Sequence, residues 1–459
     1  MSFSADSGFY KYRKAMAKAI VGFGLGTSTG LILPDTTKET RRYVKAEDSI
    51  PVFVKPLMSR TIDALTGEER KEIKEITQEP LYLDFEQGKF LLIVSPPGAG
   101  KTFLMRGIAG ELHEAGYSVV CLADQKNDFY WSRYPVQDEF KRHLPPWRVA
   151  KGLPMACITP AYIRYKERDL KFPPDVVFFK LSLKDLTAED LVIALSLEFG
   201  TPQANLLQFI WNPDNPPKTM ADLYGRIQNV DMKSFLRGQN IETRDKIGTA
   251  ASQTINALIF RIGRLHRENF IGDDGNIDII DIISRGYFLD LCLFDNSLYP
   301  YHTAYVYNLI RRIYKEKKRG GKLEHVRMAF LFPDMGTFVL PNKKDPISKE
   351  LIERDLISLG RQKGIYVIGD TQNLSQIPDT AKEQVQTWIF YGTISGHDLE
   401  VISKINKKKY SDIRELMDNY GKDLMTKFPL RGAIVWENVG GTKLGFVPPP
   451  SSAHGLKSA

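Results

Sequence analysis

Apolar residues follow the spacing of buried strands and amphipathic helices along most of the chain after residue 89. Phe90–Val94 is a short apolar run that a Pro/Gly-rich loop follows. After the loop, the helical spacing of Phe103, Leu104, Ile108 and Leu112 predicts the inner face of a helix. Gly116 ends this helix, and Ser118–Leu122 is the next apolar run. Strand, loop, helix and strand within about thirty residues predict a βαβ unit with a right-handed crossover and a parallel sheet.

The same reasoning predicts the rest of an α/β core with a mainly parallel sheet. Further strands are predicted at residues 176–179, 287–294, 328–332, 365–369, 388–391 and 433–436. Helices are predicted at residues 301–317 and 348–363, and residues 186–275 are mostly helical by pattern, beginning at the capping residue Thr187.

Regions outside this pattern set the predicted domain boundaries. Residues 1–85 form an accessory N-terminal region, with a charged helix at residues 66–76 where Glu and Lys are interleaved. The α/β core is predicted at residues 86–130 and 276–447, with an insertion at 131–275 and a tail at 448–459. The first part of the insertion, residues 131–175, is rich in proline and is expected to wrap the surface. The tail is expected to be extended.

Charge makes nucleic acid the first partner to consider. The chain has 459 residues, of which 42% are hydrophobic and 26% are charged, and its net charge is +8. This is the composition of a globular protein, and its positive balance favours polyanionic partners. A solvated basic surface without a partner is the alternative.

Cysteine usage and hydropathy indicate the compartment. Cys121, Cys157 and Cys292 lack CxxC or Cys/His spacing, so neither a disulfide framework nor a zinc site is indicated. The most apolar segment, residues 19–34, contains four glycines and is expected to be a strand and turn. The N-terminus lacks a signal-peptide pattern. We expect a soluble, cytoplasmic protein without a membrane-spanning segment.

A phosphate-binding loop is the clearest motif. Residues 95–102 read SPPGAGKT, which is the P-loop pattern with serine in place of the first glycine. In such loops backbone N–H groups and a helix N-terminus surround the β-phosphate. Lys101 would reach the β- and γ-phosphates and the Thr102 hydroxyl would hold Mg²⁺, so ATP and Mg²⁺ are the expected cofactors. The expected nucleotide-binding residues are Pro97, Gly98, Ala99, Gly100, Lys101, Thr102 and Phe103.

An acidic residue follows a second buried strand. Residues 329–332 (AFLF) end in Pro333-Asp334. Hydrolysis in a P-loop enzyme needs an acidic group near Mg²⁺ and a group that orients the attacking water. Because Asp334 is the only carboxylate here, it must serve one role, and the other is unfilled or comes from elsewhere. The alternative is an aspartate that only starts a turn.

The order of motifs resembles the HerA/FtsK superfamily of hexameric DNA-pumping ATPases, which includes type IV secretion and viral packaging relatives. Besides the P-loop, residues 119–128 (VVCLADQKND) look like that family's strand ending in D-x-K-G-E, and residues 332–339 (FPDMGTFV) are similar to D-E-A-H-R-F-V. The most specific match is residues 359–373 (LGRQKGIYVIGDTQN), close to G-R-K-x-G, an apolar strand and A-T-Q-R-P. The resemblance spans residues 88–450 outside the insertions and implies a RecA-like core.

Residue roles come with this resemblance. Asp334 falls on the catalytic glutamate and Pro333 on the Mg²⁺-linked aspartate, so Asp334 is a catalytic and metal-site candidate, with Thr102 as the other metal candidate. Arg361 matches an arginine that stabilises phosphoryl charge, across a subunit boundary, and Gln372 matches a glutamine that senses the γ-phosphate. With Lys101, these complete the catalytic set. The alternatives are a helix-end cation for Arg361, a turn cap for Gln372 and a strand-end turn for residues 124–126.

Four positions depart from the family pattern. Proline replaces the aspartate at 333, and aspartate replaces the glutamate at 334, which shortens the side chain whose carboxylate would position water. Asp370 replaces a small residue and Asn373 replaces an arginine. A slow ATPase and a nucleotide-binding structural role both stay open.

The resemblance implies a motor that acts on double-stranded DNA as a homo-oligomer, expected to be a hexamer. Basic clusters that could follow the DNA backbone are Arg311-Arg312, Lys315–Arg319 with Lys322, and Lys404 with Lys407–Lys409. Each could equally be a solvated helix face. Two other functions stay open: a secretion-like ATPase that moves protein or protein–DNA cargo with a membrane-complex partner, and a nucleotide-binding oligomeric scaffold with little turnover.

Overall fold

The computed structural model describes most of the chain from residue 49 onward. The described residues are 49–62, 69–85, 90–125, 127–163, 175–231, 234–235, 247–274, 277–293, 300–318, 320–337, 348–392, 394–426, 431–438 and 441–452. They belong to one compact unit that runs from Tyr43 to Ala459. The strand and turn predicted at residues 19–34 lie outside the described residues.

A twelve-stranded sheet forms the centre of this unit, in the order β2-β1-β14-β13-β12-β3-β11-β10-β4-β9-β5-β6. The strands are β1 (Ser49–Ile62), β2 (Glu69–Asp84), β3 (Phe90–Val94), β4 (Ser118–Asp124), β5 (Met155–Pro160), β6 (Val177–Phe179), β9 (Phe288–Cys292), β10 (Met328–Phe332), β11 (Ile365–Thr371), β12 (Thr387–Tyr391), β13 (Arg431–Glu437) and β14 (Gly441–Val447). Neighbours are parallel from β12 to β6. The remaining four strands extend the sheet in antiparallel pairs. Two short strands, β7 (Leu181–Ser182) and β8 (Ile271–Gly272), pair separately.

Helices join these strands. The α-helices are α1 (Lys101–Glu114), α2 (Asp138–Lys141), α3 (Ala188–Ala194), α4 (Pro202–Ile210), α5 (Met220–Gln228), α6 (Ile247–Arg267), α7 (Ile279–Ser284), α8 (Pro300–Lys318), α9 (Asp379–Glu383), α10 (Gly396–Ile405) and α11 (Lys407–Thr426). Thr187 caps α3 in a reciprocal capping box with Asp190, as its sequence predicts. Among the described residues, no helix is both long and apolar enough to cross a membrane.

The inner strands are buried along their whole length. Every residue of β3, β4, β10 and β11 is buried, which is why these strands read as continuous apolar runs rather than alternating ones. The predicted inner face of α1 is also found, since Leu104, Ile108 and Leu112 are fully buried. The prediction of an α/β, RecA-like P-loop core with a mainly parallel sheet is therefore confirmed.

The charged helix predicted at residues 66–76 is wrong. Residues 69–84 form β2, which pairs antiparallel with β1 at the sheet edge. Ile73, Leu81 and Leu83 are buried, whereas Lys74 and Tyr82 are exposed. Interleaved Glu and Lys suit the solvated face of an edge strand as well as a helix, so charge alone misled the prediction. Through β1 and β2, part of the predicted accessory region continues the sheet of the core.

The surface wrapping predicted for residues 131–175 is also wrong in part. Met155–Pro160 is β5, a fully buried strand between β9 and β6. Pro154 precedes this strand and Pro160 ends it, and proline is tolerated at both places because it needs no ladder N–H there. The prolines therefore mark the ends of a strand rather than a surface loop.

Two smaller differences concern the C-terminal half. The helix predicted at residues 348–363 is a π-helix at Ser348–Ser358 and a 3₁₀ helix at Gly360–Lys363. The predicted extended tail is packed where it is described. The buried Arg148 side chain pairs with Glu111 of α1 and donates to the carbonyl oxygens of Pro448 and Pro449 at 3.0 and 2.8 Å.

Candidate nucleotide-binding site

The P-loop lies between β3 and α1, as its sequence predicts. Ser95 N donates to Thr371 O at 3.2 Å, which ties the start of the loop to the end of β11. Gly98 and Gly100 have φ angles of +73° and +97°, in the left-handed region that glycine adopts at little cost. Gly100 is the residue before the first turn of α1, and Leu104 N donates to its carbonyl oxygen at 3.2 Å. The loop therefore ends at a helix N-terminus, where an anion is favoured.

Lys101, Thr102 and Phe103 follow the loop in the first turn of α1. Lys101 is 9% exposed, and its Nζ donates to Ser95 O at 3.4 Å. Its ammonium group thus lies over the P-loop backbone. Thr102 and Phe103 are both partly buried, and Phe103 packs against the core. Phe103 was predicted on the inner face of α1, and it lies at the edge of that face.

Tyr391 lies against the loop and was not singled out from the sequence. A Cβ on Gly100 would lie 3.5 Å from Tyr391 Cε1, an ordinary contact distance. Tyr391 is the last residue of β12, which pairs with β3, so strand order places it beside the loop. No local motif marks this tyrosine; only the register of a parallel sheet could have found it.

Asp334 and Gln372 meet at the same edge of the sheet. β3, β11 and β10 are adjacent and parallel, so the segments that follow them are neighbours. Gln372 Nε2 donates to Asp334 Oδ1 at 3.3 Å. Asp334 has φ +51°, a conformation in which aspartate and asparagine are enriched because their short polar side chains tolerate it. Aspartate therefore suits the backbone conformation of the turn at position 334.

Asp370 is a further acidic residue at this edge. It is 3% exposed, and its Oδ1 accepts a hydrogen bond from Asp334 N at 3.0 Å. The preceding residue, Gly369, lies under Met335: a Cβ on Gly369 would be 2.3 Å from Met335 Sδ. A side chain at 369 would therefore displace the turn that carries Asp334.

These residues fit a magnesium–nucleotide complex by their own chemistry. The loop offers backbone N–H groups at positive-φ glycines, a buried ammonium group and a helix N-terminus. Thr102 offers a hydroxyl, and the adjacent strand ends offer carboxylates. Hydroxyl and carboxylate oxygens are the ligands that Mg²⁺ prefers.

Arg361 lies near the N-terminal end of β11, opposite the strand end that meets the P-loop. It belongs to the 3₁₀ helix Gly360–Lys363, just before β11 begins at Ile365. Thr371, six residues further along, pairs with Val94 beside the P-loop. At a rise of ~3.3 Å per residue these two ends are about 20 Å apart. The side chain of Arg361 lies outside what the structure describes, as do Lys126 and residues 338–339 of two quoted motifs.

Several residues of the predicted basic clusters have internal partners. Arg311 forms an ion pair with Asp190 at 2.7 Å, and Arg312 one with Asp185 at 3.3 Å. Lys317 is buried and donates to two backbone carbonyl oxygens. Lys409 is also buried, with its Nζ 3.4 Å from the centre of the Trp436 ring. The side chains of Lys404, Lys407 and Lys408, at the junction of α10 and α11, are exposed. Those of Lys315, Lys318 and Lys322 are exposed as well, and Arg319 lies outside the described residues.

The three cysteines are free, buried and close to one aspartate. Cys292 Sγ donates to Asp290 Oδ2 at 2.9 Å, and Cys157 Sγ is 4.0 Å from the same oxygen. Cys121 pairs with Asp290 across β4 and β9. Burial raises the pKa of Asp290 well above its usual range, and Cys157 adds to the shift. Spacing along the chain could not show this cluster, because three separate strands bring its members together.

Asp124 has a structural role. Its two carboxylate oxygens accept hydrogen bonds from Asp128 N and Phe129 N, at 2.9 and 2.7 Å. These bonds hold the start of a 3₁₀ helix at Phe129–Arg133. The strand-end turn considered as an alternative for Asp124 is what the structure contains.

No family model and no curated protein matches the chain. Similar solved structures include the bacterial conjugative coupling protein TrwB, with 12% identity, 81% of this chain and 87% of that chain covered, and a TM-score of 0.44. VirB4 of Thermoanaerobacter pseudethanolicus has 12% identity, coverage of 88% and 98%, and a TM-score of 0.46. The genome-packaging NTPase B204 of Sulfolobus turreted icosahedral virus 2, in complex with ATP-γS, has 10% identity, coverage of 79% and 98%, and a TM-score of 0.34.

TrwB structures also include a complex with ADP and Mg²⁺, at 12% identity and a TM-score of 0.41. At these identities and scores, the roles of individual residues rest on the geometry of this chain.

Proposed function

We propose that this chain is an ATP-driven motor of the HerA/FtsK type that moves double-stranded DNA. The observation that carries the proposal is the meeting of the P-loop, Asp334 and Gln372 at one edge of a parallel sheet. The proposed motor is a homo-oligomer, with a hexamer as the expected assembly. The free, buried cysteines suit a reducing cytoplasm.

The residues of the site divide the work between binding and hydrolysis. The loop N–H groups and Lys101 bind the phosphates, and the Thr102 hydroxyl would hold Mg²⁺, which neutralises phosphate charge when bound. Asp334 orients the attacking water and accepts its proton. Gln372 holds the Asp334 carboxylate through a hydrogen bond and would sense the γ-phosphate.

Arg361 belongs to a different nucleotide site in this proposal. Its backbone lies at the far end of β11, about 20 Å along the strand from the P-loop edge, and this supports a role at a nucleotide other than its own. In a ring it would stabilise phosphoryl charge in the neighbouring subunit. An arginine supplied in this way is worth about 10³–10⁵ in rate in well-studied cases.

Exposed lysines supply the proposed DNA contact. Lys404, Lys407 and Lys408 lie at the end of α10 and the start of α11. A helix N-terminus disfavours cations, so Lys407 and Lys408 are not placed there to stabilise α11. Contacts to phosphates need only positive charge and repeat around a ring, which suits a motor without sequence preference.

The first experiment measures ATP turnover by the full chain with and without linear duplex DNA. Lys101→Ala is the blank and Lys184→Ala, an exposed lysine, is the matched control. The proposal expects turnover that rises with DNA, vanishes in Lys101→Ala and persists in Lys184→Ala. Turnover indifferent to DNA would contradict the DNA substrate and favour protein cargo. Nucleotide binding without turnover would contradict the motor and favour a scaffold.

A further inference from the structure

We propose that Asp370 is the second carboxylate of the nucleotide site and supports Mg²⁺ there together with Thr102. This inference rests on the proposed function. P-loop NTPases hold Mg²⁺ with the P-loop Ser or Thr and an aspartate from a nearby strand end. After β10 this chain has Pro333 and then Asp334, so the strand that should supply the aspartate supplies only one carboxylate.

Strand register puts Asp370 beside Pro333, the position at which the Mg²⁺-linked aspartate is missing. Phe332, the last residue of β10, pairs with Gly369 of β11. The next residues of the two strands, Pro333 and Asp370, are therefore side by side. On its other side Asp370 pairs with Ile93, two residues before the P-loop begins at Ser95. Asp370 thus lies between the phosphate loop and the turn that carries Asp334.

The side chain of Asp370 lies on the P-loop face of the sheet. Tyr366 and Ile368 precede it at two-residue intervals, and both belong to the core cluster that includes Leu104 and Ile108 of α1. Alternate residues of a strand share a face. Asp370 therefore faces the side of the sheet on which α1 packs, and α1 begins at the end of the P-loop.

A bound cation would stabilise the charge of a carboxylate in this place. Asp370 is 3% exposed, and burial of a carboxylate costs free energy unless charge or hydrogen bonds compensate it. Its hydrogen bond to Asp334 N, at 3.0 Å, needs only an acceptor oxygen, which an amide could also provide. A magnesium ion beside the P-loop would interact with this charge in addition to the contacts that Asp370 makes within the chain.

The competing role for Asp370 is positioning, in which it only holds the turn of Asp334. Asp370→Asn separates the two roles, because the amide oxygen can still accept from Asp334 N while the charge is lost. Asp370→Glu keeps the charge, and Asp370→Ser is a smaller second replacement. Asp398→Asn is the matched control: Asp398 is 5% exposed, and its Oδ1 likewise accepts a backbone N–H, from Leu374, at 3.0 Å.

The experiment measures Mn²⁺ binding by electron paramagnetic resonance in the presence of ADP, and ADP binding in EDTA. We expect Asp370→Asn and Asp370→Ser to weaken Mn²⁺ binding by about 10–100-fold, the loss typical when a group that supports a metal site is removed. Asp370→Glu should recover part of this affinity. ADP binding in EDTA should be unchanged in all variants, which also shows that the P-loop is folded.

Unchanged Mn²⁺ affinity in Asp370→Asn would overturn the inference, and lost turnover alongside it would assign Asp370 to positioning. An equal loss in Asp398→Asn would also overturn it, because the effect would then follow from neutralising any buried aspartate nearby. If the wild-type chain binds neither ADP nor Mn²⁺–ADP, the proposed function fails. If the wild type binds both and hydrolyses ATP, only the inference about Asp370 is at stake.

Discussion

The side-chain amide of Gln372 donates a hydrogen bond to the carboxylate of Asp334, with 3.3 Å between Nε2 and Oδ1. The two residues are 38 positions apart in the sequence and follow adjacent parallel strands. An amide that donates to one carboxylate oxygen fixes the direction in which the other oxygen points. A water-orienting carboxylate requires such fixed geometry, because small displacements cost large factors in rate.

We therefore expect Asp334 and Gln372 to act as a unit. Asp334→Asn should lower kcat by about 10²–10⁴, the contribution typical of a general base. Gln372→Ala should lower kcat by at least about tenfold, since a hydrogen bond to a charged group is worth about 1.5 kcal/mol or more. The double variant should be no slower than Asp334→Asn alone, because Gln372 has no carboxylate left to hold. Single-turnover kinetics and ATP binding measured side by side test this.

Asparagine is the appropriate replacement at position 334, since it tolerates the φ of +51° that the backbone adopts there. The exposed neighbour Asn373 gives a control, Asn373→Ala. Multiplicative losses in the double variant would show that Gln372 acts independently of Asp334.

Arg361 gives a prediction about the assembly. Lys101→Ala subunits cannot use ATP but keep Arg361, whereas Arg361→Ala subunits keep an intact P-loop. If Arg361 acts on the neighbouring nucleotide, mixing the two inactive variants should restore a fraction of the wild-type turnover, rising with the proportion of mixed interfaces. Each variant alone should be lower than wild type, by about 10³–10⁵ in the case of Arg361→Ala.

Mixing Lys101→Ala with Asp334→Asn is the control, because both changes disable the same site and no mixture can complete it. Lys363→Ala, in the same 3₁₀ helix as Arg361, controls for loss of a nearby cation. No recovery in the first mixture would place Arg361 outside the hydrolysis step.

The proposed DNA surface predicts a salt dependence. Replacing Lys404, Lys407 and Lys408 together with alanine should weaken binding of duplex DNA, and the slope of log K against log[salt] should decrease by up to about 2.7, or about 0.9 for each lost phosphate contact. The matched triple variant replaces Lys151, Lys184 and Lys218, which are exposed elsewhere and carry the same total charge. Fluorescence anisotropy at several salt concentrations measures both slopes. Equal slopes would contradict a local DNA surface.

The sequence predicts the strands and the P-loop well because those signals are local. Phe90–Val94 and Met328–Phe332 are found at the predicted residues, since strands that are buried on both faces leave unbroken apolar runs. Gly100 and Lys101 are fixed by a short motif between a strand and a helix. Such features need no knowledge of which strands are neighbours.

The features that sequence reasoning missed depend on strand order. Tyr391 lies beside Gly100, and Asp370 beside Pro333, only because β12, β3, β11 and β10 are adjacent in that order. The same is true of β5, whose flanking prolines suggested a surface segment. Charge patterns also failed at β2, because interleaved Glu and Lys are compatible with an edge strand and with a helix.

The buried Asp290 carboxyl predicts how stability depends on pH. Burial, followed by the neighbouring Cys157, raises the pKa of Asp290 well above its usual range, so the folded chain keeps a proton that the unfolded chain releases above about pH 4. The free energy of unfolding is therefore highest below the pKa that Asp290 has in the unfolded chain. It decreases as the pH rises from that value towards the pKa of Asp290 in the folded chain. The buried Arg106, whose pKa burial lowers to about 10, also interacts with Asp290 and limits this loss.

Asp290→Asn removes this proton from the equilibrium while keeping the shape of the side chain. The free energy of unfolding of the variant, minus that of the wild type, should therefore increase with pH above about 4. The increase is up to about 1.4 kcal/mol per pH unit and stops above the pKa of Asp290 in the folded wild type. Urea denaturation of both proteins at pH 5 and pH 8 measures the difference. The exposed Asp214→Asn should show no such trend. A difference that stays constant between the two pH values would mean that Asp290 is ionised in the folded chain, with Arg106 as its counter-charge.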